Sequence, residues 1–349
     1  MTSSPSFLET EILEQPAALR RLIDSERASV ERAAAAIRAR APQYIVIAAR
    51  GTSDNAARYG QYLFGAANRL PVALATPSLY TLYSQPPQIG GALVLAISQS
   101  GQSPDIVAVV AEGRRQGALT VAITNDPHSP LAQAAEHTIH MRAGVERAVA
   151  ATKTYTTSLL AIAMLSAALA QDDARFAQIS ALPAALEAIT GQAAAVVRAA
   201  ERYRYMQACV TLSRGYNYAT AYEIALKLKE LTYVLAEPYS TADFQHGPVA
   251  LVAEGFPVLA VVADGGLTTE LAAFLGELRA RGAELMVIAA DAAALALAQT
   301  PLPLPAGIPE WLSPAAAVVP GQLFAYGLTL AKGFNPDQPR GIVKVTLTE

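Results

Sequence analysis

Short apolar runs recur along this chain of 349 residues, and each is followed by a turn and then by a longer segment of helical period. The four clearest are YIVIAA at 44–49, PVALAT at 71–76, ALVLAIS at 92–98 and ALTVAIT at 118–124. A strand that is apolar on both faces is buried on both faces, which is typical of a parallel sheet covered by helices. The pattern therefore predicts an α/β fold.

The same strand-end turns return after a nearly constant interval. Three pairs of landmarks lie 164 or 165 positions apart: Arg50-Gly51 and Arg214-Gly215, Gly101 and Gly265, and Gly117 and Gly282. Two unrelated α/β domains could share such turns but would not share the spacing, so we interpret the chain as a duplication. The predicted organisation is a helical lead-in over 1–34, a first sheet domain over 35–170, a connecting helix over 171–200 and a second sheet domain over 201–349.

Composition narrows the class of protein. Lys and Arg total 26 against 29 Asp and Glu, a net charge of −3, and no basic cluster is dense enough to follow a nucleic-acid backbone. No uninterrupted apolar run reaches the ~18–20 residues that cross a bilayer, and the N-terminus lacks the basic region of a secretory signal. The single cysteine fits a reducing compartment. We expect a cytoplasmic protein with a small-molecule ligand and neither a nucleic-acid nor a membrane partner.

A serine-rich segment, SQSGQS at 98–103, ends the third apolar run and precedes a predicted helix that begins at Pro104. Ligands of open α/β sheets bind at this edge, outside the carboxyl ends of the strands. Three hydroxyls, a glycine and the free N–H groups of a helix N-terminus suit an anion such as phosphate. Asp105 in the first turn would repel that anion unless it points away.

A second hydroxyl-bearing turn, Gly51-Thr52-Ser53, follows the first apolar run and could converge on the same ligand. Serine and threonine at such places are also ordinary helix N-caps. The second copy favours the phosphate interpretation, because its loop at 264–267 keeps the glycine and loses the hydroxyls. The loop is neither a Walker motif nor a GxGxxG motif.

Three charged residues, Glu223, Lys227 and Glu230, project from one face of a predicted helix because they are spaced i, i+4 and i+7. A solvated face with an ion pair is the ordinary explanation, but the helix follows a buried strand, where the first copy places its ligand turn. A carboxylate beside a lysine can act as a base, and His246 downstream can handle a hydroxyl proton. We predict proton abstraction next to a carbonyl group. We expect no metal, because no histidines and acids have convincing metal-ligand spacing, and no cofactor.

Together these segments resemble the isomerase half of glucosamine-6-phosphate synthase, which is a pair of sugar-isomerase (SIS) domains. The resemblance implies two tandem SIS domains, each a parallel five-stranded sheet flanked by helices in a flavodoxin-like, doubly wound arrangement. The matching motifs cover nearly the whole chain and are EILEQP at 11–16, GTS at 51–53, SQSG at 98–101, ATK at 151–153, ALKLKE at 225–230, HGP at 246–248, DQPR at 337–340 and the tail from Lys344 to Glu349.

The resemblance also implies roles for individual residues. Glu230 would move a proton between C1 and C2 of the sugar, with Lys227 beside it. His246, contributed across the interface of a homodimer, would assist ring opening. The phosphate of the sugar would be bound by Ser98, Gln99, Ser100 and Ser103, with Thr52 and Ser53 nearby.

Two further segments are implicated by the resemblance alone. Lys344, in the C-terminal tail, would reach the sugar carbonyl and can form a Schiff base. The backbone at Val149 and Ala150 would contact the sugar, and Glu146 lies on the same loop.

Departures from the family pattern cluster around the sugar. The synthase carries an N-terminal glutaminase domain with a nucleophilic cysteine. This chain begins at the isomerase half and has only Cys209, in an apolar strand, so we expect no glutamine hydrolysis. The other departures are Arg50 for a cysteine, Asp54-Asn55 for aromatic and histidine residues, Asp243 for a glutamate and Ser103 for a threonine.

We favour an activity that converts glucosamine 6-phosphate to fructose 6-phosphate and ammonia. Three alternatives stay open: a deglycase whose leaving amine belongs to an amino acid, a simple aldose–ketose isomerase, and a non-catalytic sugar-phosphate sensor. Binding alone needs only the serine-rich segment. The sensor is therefore disfavoured by the joint presence of Glu230, Lys227, His246 and Lys344.

Overall fold

The computed structural model describes residues 6–344 of the chain. It divides into two compact units, each built around one sheet. We call them the first-sheet unit (Ala17–Glu146, Lys153–Ala181 and 343–344) and the second-sheet unit (6–16, Arg147–Thr152 and Leu182–Ile342).

The first sheet has five parallel strands in the order β2-β1-β3-β4-β5. This is the flavodoxin-like order, in which ligands bind where the chain switches direction between β1 and β3. The strands are β1 Tyr44–Ala48, β2 Val72–Leu74, β3 Ala92–Ser98, β4 Leu119–Thr124 and β5 His137–His140.

The second sheet repeats that topology, with parallel strands in the order β10-β9-β8-β6-β7. Read from β7, each strand takes the place of its counterpart in the first sheet, which confirms the predicted α/β fold and its repetition. The strands are β6 Ala208–Ser213, β7 Leu235–Ser240, β8 Pro257–Val262, β9 Glu284–Ala289 and β10 Thr300–Pro303.

Helices cover the sheets, and the connecting segment folds as two helices, the longer with Pro183 in its interior. The predicted strands are confirmed, with β3, β4 and β8 buried along their whole length. The helices are α1 Phe7–Leu13, α2 Gln15–Arg40, α3 Thr52–Asn68, α4 Ser78–Thr81, α5 Pro104–Arg115, α6 Pro130–Ala134, α7 Lys153–Ala170, α8 Asp173–Thr190, α9 Ala193–Ala200, α10 Tyr218–Thr232, α11 Thr241–Gln245, α12 Thr268–Ala280, α13 Ala292–Ala296 and α14 Ser313–Ala331.

Two helical stretches, α7 and Glu310–Ala331, are long and apolar enough to cross a membrane by length and composition. In each, 89% of the apolar window is buried inside the fold. This burial accounts for their apolar character, because a helix that is apolar all round packs on every side.

Candidate active site

The serine loop, residues 98–103, leaves the carboxyl end of β3 and leads into α5. Ser98 Oγ accepts a hydrogen bond from the Gly101 N–H at 3.1 Å, which folds the loop back on the strand end. Gly101 has a φ of 63°, and a Cβ at this position would collide with Ser129 Oγ. The loop therefore needs glycine here for both backbone conformation and space.

The chain that follows β4 holds the serine loop from the side. The Asn125 N–H donates to the Gln99 carbonyl at 3.1 Å, and the Leu131 N–H donates to the Gly101 carbonyl at 3.0 Å. These bonds use loop carbonyls and leave the loop as a preorganised turn at the end of a buried strand. Such a turn is suited to receiving an anion with its N–H and hydroxyl groups.

The N-terminus of α5 completes the anion-binding geometry. Ser103 is the N-cap residue, and its side chain makes no capping hydrogen bond. Asp105 in the first turn is fully buried, and its carboxylate accepts a hydrogen bond from Arg50 Nε at 2.8 Å. The guanidinium neutralises this carboxylate, so Asp105 does not oppose an anion at the helix N-terminus.

The second hydroxyl-bearing turn, Gly51-Thr52-Ser53, follows the neighbouring strand β1. Ala48 of β1 pairs with Ala96 of β3, so α3, which begins at Thr52, starts beside the serine loop. Thr52 and Ser53 are both half-buried. The six residues predicted to bind phosphate thus belong to adjacent turns at one edge of the first sheet, and their binding of phosphate stays a prediction.

The charged face of α10 is buried, which contradicts the interpretation of these charges as a solvated face. Lys227 Nζ lies 2.5 Å from Glu230 Oε2 and 3.4 Å from Glu223 Oε1. The side chains of Lys227 and Glu223 are 1% and 0% exposed, whereas that of Glu230 is 23% exposed. Glu230 is therefore the carboxylate of this group that a ligand can reach, and Lys227 fixes its position.

His246 lies on the surface of the second-sheet unit, directly after α11. Its backbone N–H donates to the Asp243 carbonyl at 3.1 Å. Within residues 6–344 the imidazole makes no hydrogen bond and no ion pair. The structure therefore leaves the predicted role of His246 in a shared dimer site as a prediction.

Lys344 meets a carboxylate that the sequence did not single out as its partner. Lys344 Nζ lies 2.6 Å from Glu146 Oε2, and the Glu146 side chain is fully buried. Glu146 also accepts hydrogen bonds from the hydroxyl of Thr154 at 2.8 Å and from its backbone N–H at 3.1 Å. Glu146 and α7 therefore hold the ammonium group of the tail within the first-sheet unit.

The segment at Val149 and Ala150 is held by a second buried carboxylate. Glu11 of α1 is 4% exposed and accepts hydrogen bonds from the Arg147 N–H at 2.5 Å and the Ala148 N–H at 3.2 Å. Ala150 is buried and Val149 is half-buried in the second-sheet unit. The EILEQP motif thus has a physical role that the sequence alone does not reveal.

Cys209 is buried in β6, and burial raises the pKa of its thiol to about 12. A thiol of this kind stays protonated at neutral pH and is a poor nucleophile. Among residues 6–344, no three His, Cys, Asp or Glu side chains lie close enough together to hold a metal ion.

Comparison with known proteins finds the same two-unit arrangement. The family model of the SIS domain matches residues 40–168 and again 207–332. The glutamine–fructose-6-phosphate aminotransferase [isomerizing] of Thermus thermophilus is 34% identical over 360 residues, which cover 99% of this chain and 59% of that protein. This chain therefore spans somewhat over half the length of the relative.

Two solved structures match nearly the whole chain. A protein of Silicibacter pomeroyi named as a phosphosugar isomerase is 37% identical, with a TM-score of 0.84 over 95% of this chain and 100% of that one. The C-terminal domain of the glucosamine-fructose-6-phosphate aminotransferase of Francisella tularensis is 28% identical, with a TM-score of 0.85 over 96% of this chain and 99% of that one.

Proposed function

The chain belongs to the SIS domain family, and we propose that it is a phosphosugar isomerase that removes the amine from an amino-sugar 6-phosphate. The simplest such reaction converts glucosamine 6-phosphate and water to fructose 6-phosphate and ammonia. The observation that carries this proposal is the ion pair between the buried Lys227 and the partly exposed Glu230. A protein that only bound sugar phosphates would need the serine loop but no positioned carboxylate.

The relatives support a sugar-phosphate substrate. The Thermus relative is named for action on fructose 6-phosphate, and the Silicibacter structure for isomerisation of a phosphosugar. Because this chain spans 59% of the Thermus protein, we do not extend the glutamine dependence in that protein's name to it. We propose instead that the amine is already part of the substrate.

In this proposal the first-sheet unit recognises the phosphate. The serine loop offers hydroxyls and N–H groups at the start of α5, and Thr52 and Ser53 add two more hydroxyls from α3. Charge-assisted hydrogen bonds of this type are stronger than neutral ones. The phosphate is far from the reacting carbons of a hexose 6-phosphate, so these contacts contribute binding and orientation rather than chemistry.

Glu230 of the second-sheet unit is the proposed base. It removes the proton from C2 of the open-chain amino sugar, which gives an enolamine, and after exchange with solvent on the carboxylate a proton is added at C1. The product is an imine at C2. Water adds to that carbon, the C–N bond breaks, and ammonia leaves with fructose 6-phosphate. Lys227 orients the carboxylate throughout, and general base catalysis of this kind contributes roughly 10²–10⁴-fold in rate.

We assign the remaining predicted residues to steps around this proton transfer. His246 would assist ring opening from the partner subunit of a cytoplasmic homodimer. Lys344 would approach the sugar carbonyl, and release from Glu146 would make its amine available as a nucleophile. The backbone at Val149 and Ala150 would contact the sugar.

Ammonia release from glucosamine 6-phosphate, coupled to detection of fructose 6-phosphate, tests the proposal, with Glu230→Gln as the comparison. Release by the wild-type protein and its loss in the variant would support both the reaction and the base. Interconversion of aldose and ketose 6-phosphates without ammonia release would replace the proposal with a simple isomerase. Thermal stabilisation by sugar phosphates without any turnover would replace it with a sensor.

A further inference from the structure

A cavity of about 410 Å³ lies at the amino edge of the second sheet, between the C-terminal ends of α10 and α14. We propose that this cavity binds a nucleoside monophosphate, with the phosphate on three cationic side chains and the base against an aromatic ring. The site lies within the second-sheet unit and goes beyond the proposed function. The lining residues are Arg204, Gln207, Thr232, Tyr233, Ala331, Lys332, Phe334 and Arg340.

The three cations of the lining are not neutralised by the protein. Among residues 6–344, Arg204, Lys332 and Arg340 form no ion pair with a carboxylate, and none of the residues that line the cavity is acidic. A cavity lined by charges of one sign raises the local concentration of ions of the opposite sign. A bound anion would also remove the repulsion among the three cations.

Cations at helix C-termini have an ordinary explanation, because they complement the negative end of the helix dipole. Lys332, the C-cap residue of α14, fits that explanation. Its ammonium group donates to the carbonyl oxygens of Arg204 at 3.1 Å and Met206 at 2.7 Å, which leaves one of its three N–H donors. The guanidinium groups of Arg204 and Arg340 donate to no carbonyl within residues 6–344, so the helix ends do not account for them.

The charge of the cavity matches that of a phosphate monoester. Each helix C-terminus carries the equivalent of about −0.5 elementary charge, so the two helix ends reduce the three positive charges to about two. A phosphate monoester carries about −1.5 to −2 charges at pH 7 and offers three acceptor oxygens. Arg204 and Arg340 are both exposed, and guanidinium groups bind phosphate through paired N–H donors.

Tyr233 and Phe334 give the cavity an aromatic wall, with ring centroids 4.9 Å apart. The Arg340 guanidinium carbon lies 4.0 Å from the centroid of the Tyr233 ring, and the Tyr233 hydroxyl accepts a hydrogen bond from the Arg340 N–H at 2.9 Å. These contacts hold Arg340 in the cavity without using its guanidinium donors. The Phe334 ring is 37% exposed, and aromatic rings of this kind are stacking platforms for nucleotide bases.

The first-sheet unit shows what the scaffold requires at this edge. Its counterpart is a cavity of about 290 Å³ between the C-terminal ends of α3 and α7, with Arg38 as the charged residue of its lining. Arg38 donates to the Ala168 carbonyl at 2.7 Å, as Lys332 does to its carbonyls. Arg40, 164 positions before Arg204, lies outside that lining. The scaffold therefore accounts for the cavity and for one cation, but not for the two arginines or the aromatic wall.

The cavity is separate from the proposed base. Glu230 and Thr232 lie two positions apart on α10, so their side chains point about 200° apart around the helix axis. Thr232 lines the cavity and Glu230 does not. Binding at the cavity can therefore be measured while the active site is saturated with fructose 6-phosphate.

Calorimetric titration with AMP and with UMP, in the presence of saturating fructose 6-phosphate, tests the inference. We expect one nucleotide to bind per chain. Ribose 5-phosphate, which lacks the base, and the free nucleoside, which lacks the phosphate, should each bind at least about tenfold more weakly. Absence of binding by both nucleotides, or ribose 5-phosphate binding as tightly as the nucleotide, would overturn the inference.

The phosphate half of the site is tested by Arg204→Met, which changes an exposed side chain without a hydrogen bond of its own within residues 6–344. It should weaken nucleotide binding at least about tenfold. Arg198→Met, which changes an exposed arginine of the same unit outside the lining, is matched for the loss of charge and should stay within about twofold of wild type. Equal weakening in the two variants would reduce the effect to net charge and overturn the site.

The base half is tested by Phe334→Ala, which should reduce the preference for the nucleotide over ribose 5-phosphate to within about twofold. Tyr205→Ala is the matched control, because Tyr205 is an exposed aromatic residue of the same unit outside the lining. It should keep the full preference. An unchanged preference in Phe334→Ala would overturn the assignment of a nucleotide to this cavity.

Discussion

The two sheets share strand order and turn glycines but differ in what fills the loop at their carboxyl edges. In the first sheet, Ser100 and Ser103 of the serine loop are half-buried, and the Ser103 side chain makes no capping hydrogen bond at the α5 N-terminus. In the second, the Glu310 carboxylate accepts a hydrogen bond from the Gly266 N–H at 3.1 Å and leaves no space for a side chain at Gly265. The second loop is complemented by an anion of the protein, whereas in the proposed function the first loop receives the phosphate of the substrate.

The helices that follow the first strand of each sheet, α3 and α10, also differ. Here it is the helix of the second sheet that carries the charged groups. The positions of Glu223, Lys227 and Glu230 in α10 correspond, at the same offset of 164, to Tyr59, Leu63 and Ala66 in α3. Tyr59 and Leu63 are buried core residues. In the proposed function, one copy of the duplicated scaffold therefore binds the phosphate and the other carries the charged groups for proton transfer.

Lys227→Met should have the largest effect, because it removes the charge that compensates two carboxylates in α10. Breaking a buried ion pair costs about 3–5 kcal/mol in the free energy of unfolding. We expect a loss of that size in chemical denaturation and loss of turnover. Lys229→Met, on the same helix and only half-buried, is the matched control and should change stability by less than about 1 kcal/mol. Equal stability losses in the two variants would contradict the buried arrangement.

Gly101→Ala should disrupt the serine loop at the residue where the backbone has positive φ and no side chain fits. Strain and collision together should lower the free energy of unfolding by about 2–4 kcal/mol and weaken binding of fructose 6-phosphate more than tenfold. Gly117→Ala is matched for positive φ, at 84°, but has open space around its Cβ. It should lose about 1 kcal/mol and bind normally. Weakened binding in both variants would show that strain alone is responsible.

Glu310→Ala should convert the second loop into a vacant anion site. Loss of the carboxylate leaves the Gly266 N–H without its partner and should cost about 1 kcal/mol. Inorganic phosphate should bind in place of the side chain, so Tm should rise more steeply with phosphate concentration in the variant than in the wild-type protein. If Tm depends on phosphate concentration identically in the variant and the wild-type protein, the proposed difference between the two loops is contradicted.

Ser100→Ala should have the smallest effect, the loss of one hydroxyl donor to the phosphate. We expect KM for the sugar phosphate to rise about fivefold to tenfold with kcat nearly unchanged, because the contact is equal in ground state and transition state. Thr268→Ala, which changes the hydroxyl that accepts a hydrogen bond from the Gly265 N–H at the start of α12, should leave KM unchanged. A fall in kcat for Ser100→Ala would place this serine closer to the chemistry than proposed.

Much of the fold could be predicted because strands buried on both faces leave continuous apolar runs, as in β3 and β8. The spacing of Glu223, Lys227 and Glu230 also places them correctly on one helix face. It does not show that this face is buried, because burial depends on the elements that pack around α10. The same spacing of charged residues also occurs on helices whose charged face is exposed to solvent.

The contacts that the sequence did not reveal join residues far apart along the chain. Lys344 and Glu146 are separated by 198 positions, Arg147 and Glu11 by 136, and Gly266 and Glu310 by 44. In each pair the carboxylate is placed by tertiary packing, and tertiary packing leaves no periodic pattern in the local sequence. Asp105 is similar, since its pairing with Arg50 removes the repulsion that its position in the first turn predicts.

The central claim is that Glu230 moves a proton between C1 and C2 of an amino-sugar phosphate. Its most direct test is proton NMR of glucosamine 6-phosphate with the protein in D₂O. The account predicts fructose 6-phosphate with deuterium at C1, formed together with ammonia and absent with Glu230→Gln. Saturable binding of the sugar phosphate with no deuterium incorporation at C1 or C2 would contradict it.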